Sequence, residues 1–182
     1  MNGLIDALRA DNEALKSVLT ATEPSLVVST EATMAKVLLL ASASHLEQMT
    51  QEILLSFFSE ITAGTPAAVE FVRNKAIARQ YHTLFQWDKS NVSHFFGLFG
   101  KDFKKIAEET VKADSDLDLC IRAFLEVGSL RNQLVHQNYA SFVLDKTADD
   151  IVELYYRAAR FLDRLPLLLR ADVGVEDDPR SR

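Results

Sequence analysis

Residues Leu117–His136, LDLCIRAFLEVGSLRNQLVH, decide how this chain folds. Cys120, Ala123, Val127, Leu130 and Leu134 recur at steps of three and four, the spacing that aligns side chains along one face of an α-helix. That stripe should face a core. Leu125, Ser129, Asn132 and His136 follow a second line, which makes Asn132 and His136 neighbours. Asp114 or Ser115 is expected to cap the helix. Arg131 stands five residues before His136, about 140° around an ideal helix. A rigid helix therefore does not aim both side chains at one point. A loosened helix end, an Arg stem that bends around, or a second subunit would be needed to join them. Gly128 costs about 1 kcal/mol relative to Ala inside a helix. Close approach of another helix, for instance across a symmetric dimer, would account for it.

Outward from this stretch the pattern stays helical. Leu4, Ile5, Leu8, Leu15, Val18 and Leu19 predict a helix over 2–21, closed by Pro24. A very long helix follows over 30–62, with a seam of Leu39, Ser42, Leu46, Met49, Ile53 and Phe57. Gly64, Thr65 and Pro66 read as stop, cap and first helical residue of a segment over 66–80. Tyr81 to Phe103 gathers Tyr81, Phe85, Trp87, Phe95, Phe96, Phe99 and Phe103 around Gly97 and Gly100. It reads as short helices over a satellite core, because base-stacking platforms interleave rings with cations and cations are few here. Helices over 101–113 and 147–165 complete the chain, the last expected to end or kink at Pro166. No segment alternates as a strand, and no repeat is present. The expectation is an all-α bundle with two long antiparallel helices as its spine, one domain over 1–170, and a polar, disordered tail over 171–182.

The chain has 182 residues, 48% hydrophobic, enough for one sizeable core. Its net charge of −6 argues against coating a polyanion but leaves room for a local basic cleft. The single Cys120 has no intramolecular partner and reads as a small core side chain in a reducing compartment. The first residues lack a secretory leader and the richest apolar run, Val37–Ala43, is too short to cross a bilayer. A cytoplasmic protein with no membrane association is expected. His45, His82 and His94 have no metal-ligand spacing, and there is neither a phosphate-cradling glycine loop nor a nucleophile elbow. No metal and no cofactor are expected.

The chemistry concentrates at Arg131, Asn132 and His136. Arg presents a planar fork that matches a phosphate, and His is the side chain that exchanges a proton near neutral pH. Glu47 lies in line with Leu40, Ala43, Leu54 and Phe58, so it should be partly buried and need a partner. Arg131 would serve, either as half of a structural ion pair or within a catalytic group. Arg157, Arg160 and Arg164 form a basic stripe that would either lead RNA towards the site or stand as a solvated face beside Asp149, Glu153 and Asp163.

Arg131-Asn132 followed by His136, at the end of a helix in a small helical chain, resembles the motif of the HEPN superfamily. Trp87-Asp88-Lys89-Ser90-Asn91, Leu98-Phe99-Gly100 and the Leu46-Glu47 pair on the preceding helix look like the branch called RiboL-PSP-HEPN. The likeness covers residues 30 to 165. It implies a helical bundle that dimerises with its motif helices adjacent, and a metal-independent endoribonuclease of toxin–antitoxin, phage-defence or RNA-processing settings. The partners it implies are RNA, a second copy of the chain, and an antitoxin or nucleotidyltransferase-like protein. It is equally compatible with a catalytically inactive module that binds RNA, a nucleotide or a partner protein. In the nuclease reading Arg131 holds the scissile phosphate, His136 is general acid or base or orients the phosphate, Asn132 orients His136 or donates to the phosphate, and Glu47 supports Arg131.

Overall fold

A computed structural model describes residues 3–78 and 80–171. Apart from Ala171, the tail expected over 171–182 lies outside these residues. Every regular element described is helical: α1 (Gly3–Thr22), α2 (Val27–Ile61), α3 (Pro66–Val72), α4 (Tyr81–Leu84), α5 (Ser93–Gly97), α6 (Lys101–Ala113), α7 (Ser115–His136) and α8 (Ala148–Arg170). The fold is all-α.

The long helices α2, α7 and α8 pack together at the centre of the bundle. α8 packs along both α7 and α2, and α1 closes the outer side of α2. α7 and α8 run antiparallel, because Arg160 and Arg164 of α8 pair with Asp116 and Asp114 at the start of α7. Leu38, Leu39, Phe124, Ile151, Phe161, Leu162 and Leu165 are sealed from solvent where the three helices meet. Each such aliphatic or aromatic side chain contributes roughly 1.5–3 kcal/mol on burial.

The long α2 begins at Val27, directly after a 3-10 turn at Pro24–Leu26, earlier than the pattern predicted. Its buried face is wider than the predicted seam, since Ala35, Leu38, Thr50 and Leu54 join Leu39, Ser42, Leu46 and Phe57. Pro24–Ile61 is long and apolar enough to meet the length and composition criteria for a membrane span. Here it packs against α1, α7 and α8, although only 28% of its most apolar window is buried within one chain.

Two expectations need correction. The helix after Pro66 stops short: α3 ends at Val72 and a π turn, Arg73–Ile77, replaces its second half. The Ala78 N–H bonds to the Arg73 carbonyl at 2.7 Å, which widens the helix before the chain turns towards Tyr81. In α8, Pro166 does not end the helix, which continues to Arg170. Its ring removes one backbone donor. Burial of Leu165, Leu168 and Leu169, each at most 6% exposed, holds the helix on both sides of it.

The aromatic stretch is not a separate core. Phe85 stacks on Phe95 at 4.8 Å and meets Phe124 of α7 edge-on at 4.9 Å, and Phe124 meets Phe161 of α8 at 5.3 Å. One ring-to-ring path thus runs from the irregular middle of the chain into the centre of the bundle.

Candidate functional site

The motif helix is built as the sequence predicts. The Asp114 carboxylate accepts from the Asp116 and Leu117 N–H groups at 3.0 Å each, so Asp114, not Ser115, caps α7. Cys120, Ala123, Val127 and Leu134 are buried, and Leu130 packs against the same core. Burial pushes the Cys120 thiol upward, as befits a core side chain. At the other end α7 stays α-helical through His136. A loosened helix end is therefore not what unites the motif.

The helix is followed at once by a tight turn. The Asn138 carbonyl accepts from the N–H groups of Ser141 and Phe142 at 3.1 and 2.9 Å. Lys36 of α2 pins this turn, donating to the Tyr139 carbonyl at 2.9 Å with its ammonium 4.9 Å from the Tyr139 ring centre. His136 stands exposed beside that anchored loop.

Arg131 and Asn132 are half-buried and line a narrow cleft between α2, α7 and the Tyr81–Trp87 segment. The Arg131 Nη1 donates to the Asn132 Oδ1 at 3.2 Å. Glu47 lines the same cleft, but its carboxylate accepts from Gln51, one turn along α2, at 3.2 Å. Among the described residues no ion pair within 4.0 Å joins Glu47 to Arg131. The two charges face one cleft without closing on each other. His136 is not among its lining residues. One chain thus brings Arg131, Asn132 and Glu47 together and leaves His136 outside.

Gly128 has a clear physical reason, and it is not the one expected. A Cβ there would lie 2.0 Å from Cε3 and 2.1 Å from Cζ3 of Trp87. The indole lies against the bare backbone of α7, one turn before Arg131. The close approach is made by a side chain of the same chain.

Tyr81 is the residue that spacing did not reveal. It is 6% exposed, lines the Arg131 cleft, and packs on Trp87 with ring centres 5.4 Å apart. Burial first, and then the charge of Glu47, drive its phenol well above the usual tyrosine range, against weaker pulls from Thr50 and Arg131. The phenol therefore stays neutral, on a residue that shares the cleft with an acid and a guanidinium. The clue in the sequence was the unexplained Gly128 together with the lone tryptophan.

The basic stripe has a different setting. Arg160 and Arg164 are engaged by Asp116 and Asp114 at 2.7, 2.6 and 3.2 Å. These acids open α7, whereas His136 closes it, and twenty residues of helix span about 30 Å. Arg157 is exposed and has no carboxylate within ion-pair distance among the described residues. Of the histidines, His45 is held by the Tyr155 hydroxyl at 2.8 Å, and His82 and His94 are exposed.

An all-helical bundle with an Arg-Asn-x-x-x-His motif closing its second-last long helix defines a HEPN protein. More particularly, residues 6–169 match the family model described as RiboL-PSP-HEPN, and the chain belongs to that family. No curated protein and no solved structure shows significant similarity to it.

Proposed function

We propose that the chain is an endoribonuclease that cleaves RNA through the RNA's own 2′-hydroxyl and works as a homodimer. The observation that carries this reading is the state of the motif. Arg131 and Asn132 stand together at the mouth of a cleft, and His136 reaches solvent one turn after Asn132 on an unbroken helix. A motif used only for packing would be sealed inside the bundle.

The chemistry follows from the substrate. The 2′-oxygen attacks the adjacent phosphorus and the P–O5′ bond breaks, leaving a 2′,3′-cyclic phosphate and a 5′-hydroxyl. One proton leaves O2′ and one is delivered to O5′. The nucleophile belongs to the RNA, so positioning and charge stabilisation suffice and the scheme invokes no metal. Arg131 stabilises the phosphate oxygens, Asn132 orients that guanidinium, and His136 moves a proton. Glu47 supports the inner side of Arg131. Single-stranded or looped RNA is the substrate form that exposes a flexible sugar-phosphate link. Arg157, with no carboxylate partner among the described residues, is the member of the basic stripe best placed to meet RNA.

The dimer supplies what one chain lacks. Arg131 and His136 diverge around a regular helix, so a second copy would bring its own His136 or Arg131 across a twofold axis. The apolar length of α2, only 28% buried over its most apolar window, offers surface for that packing. A toxin or defence role, with an antitoxin or a nucleotidyltransferase-like partner, belongs to the same proposal.

A second reading is favoured by the same divergence: a catalytically inactive module that binds RNA, a nucleotide or a partner protein. Incubation of the protein with RNA in EDTA decides between the two. Cleavage by the wild type that disappears in folded His136→Ala supports the nuclease; retention of RNA without cleavage supports the binding module.

A further inference from the structure

The Arg131 cleft has room for about one water molecule, with a free volume of ≈ 10 Å³. A phosphate cannot enter it. Arg131 therefore meets any phosphate with its outward N–H groups, and the cleft behind it acts as a wall.

The wall comes from the aromatic segment. Trp87 lies on Gly128 and is bounded by Tyr81, Phe85 and Phe124 at ring-centre distances of 5.4, 5.2 and 5.8 Å. Its indole N–H donates to the His82 carbonyl at 3.1 Å, which folds the segment back on α4. Tyr81, the first residue of α4, is clamped between this indole and Phe85, and it lines the cleft together with Glu47 and Arg131.

We propose that Tyr81 and Trp87 are positioning residues for Arg131: the indole seated on Gly128 fixes the Tyr81 ring, and the phenol with Glu47 holds the guanidinium's inner side so that its fork faces outward to an RNA phosphate. This inference rests on the RNA-cleaving reading for its consequence, but its geometry can be tested without catalysis. A phenol that only filled space would be replaced by phenylalanine without loss. A phenol that aims a guanidinium would not, because a small displacement of a charge-stabilising group costs rate rather than substrate affinity.

The experiment uses the full chain and two readouts. The first is the Arg131 Nε–Hε signal in a ¹⁵N NMR spectrum, assigned by its loss in Arg131→Lys. The second is steady-state cleavage of RNA. In Tyr81→Phe the Arg131 signal is expected to move while the thermal midpoint holds, and kcat to fall about tenfold with KM nearly unchanged. Trp87→Phe, which keeps a ring but loosens the seat, is expected to move the same signal and serves if Tyr81→Phe fails to fold. An unmoved Arg131 signal in the folded variants overturns the proposal, as does wild-type kcat in Tyr81→Phe. If the wild type cleaves no RNA, the nuclease reading falls, and the Arg131 signal alone still decides the positioning role.

Discussion

Gly128 shows how one missing side chain organises a site. A Cβ 2.0 Å from the Trp87 ring cannot be absorbed by a flexible tip, because the indole is held by aromatic neighbours and by the His82 carbonyl. Gly128→Ala must expel the indole or push α7 aside, although alanine is the better helix former. We expect it to destabilise the fold by about 1–3 kcal/mol, the usual cost of overpacking. Urea unfolding measures that cost. Trp87 is the only tryptophan in the chain, so a red shift of emission would show the indole leaving its seat. Unchanged stability and emission would mean the contact is not the one described. At this scale the sequence was half legible. Arg131, Asn132 and His136 announce themselves by residue type and spacing. Tyr81 does not, because its role depends on a loop folding back about fifty residues away along the chain.

At the scale of elements, caps and apolar periodicity were the readable signals. Lys101–Ala113 forms the helix its pattern predicts, and the acids after residue 144 do mark the start of α8. There Thr147 and Asp150 form a reciprocal capping box: the Asp150 N–H donates to Thr147 Oγ1 at 3.1 Å, and the Thr147 N–H donates to the Asp150 carboxylate at 2.9 Å. The Thr147 N–H, and after it the Thr147 hydroxyl donating at 2.8 Å, hold the Asp150 carboxyl below its ordinary value. A depressed carboxyl contributes stability that is present above its unfolded value and lost as pH falls through the folded one. Asp150→Ala should therefore melt below the wild type at neutral pH, and the gap should close as pH drops below about 4. Thermal melts across that range measure it, and a gap independent of pH would assign the loss to something other than this carboxylate. Pro166 and the π turn at Arg73–Ile77 were not legible. Whether a proline stops a helix depends on how strongly the flanking turns are buried, and the burial of Leu165, Leu168 and Leu169 comes from tertiary packing that no local pattern reveals.

At the scale of the whole molecule, the all-α class was plain from scarce glycine and proline and from helical spacing throughout. The arrangement was less plain: α8 proved to be the hub between α2 and α7, because contacts between distant helices are not written in either one alone. The same limit applies to the motif, whose two ends point apart in a single chain. If a second copy completes each site, Arg131→Ala and His136→Ala are each inactive but complement when mixed and reassembled. Mixed dimers then carry one intact site, and about a quarter of wild-type activity should return. A mixture that stays inactive despite subunit exchange would confine the site to one chain.

The most direct test of the central claim compares an RNA oligonucleotide with its fully 2′-O-methylated counterpart, both incubated with the protein in EDTA and resolved by mass spectrometry. The account predicts that the wild type cuts the RNA to fragments ending in 2′,3′-cyclic phosphate and 5′-hydroxyl, leaves the methylated strand whole, and loses all cutting in Arg131→Ala and His136→Ala. Fragments from the methylated strand, or untouched RNA in the presence of folded wild-type protein, would contradict it.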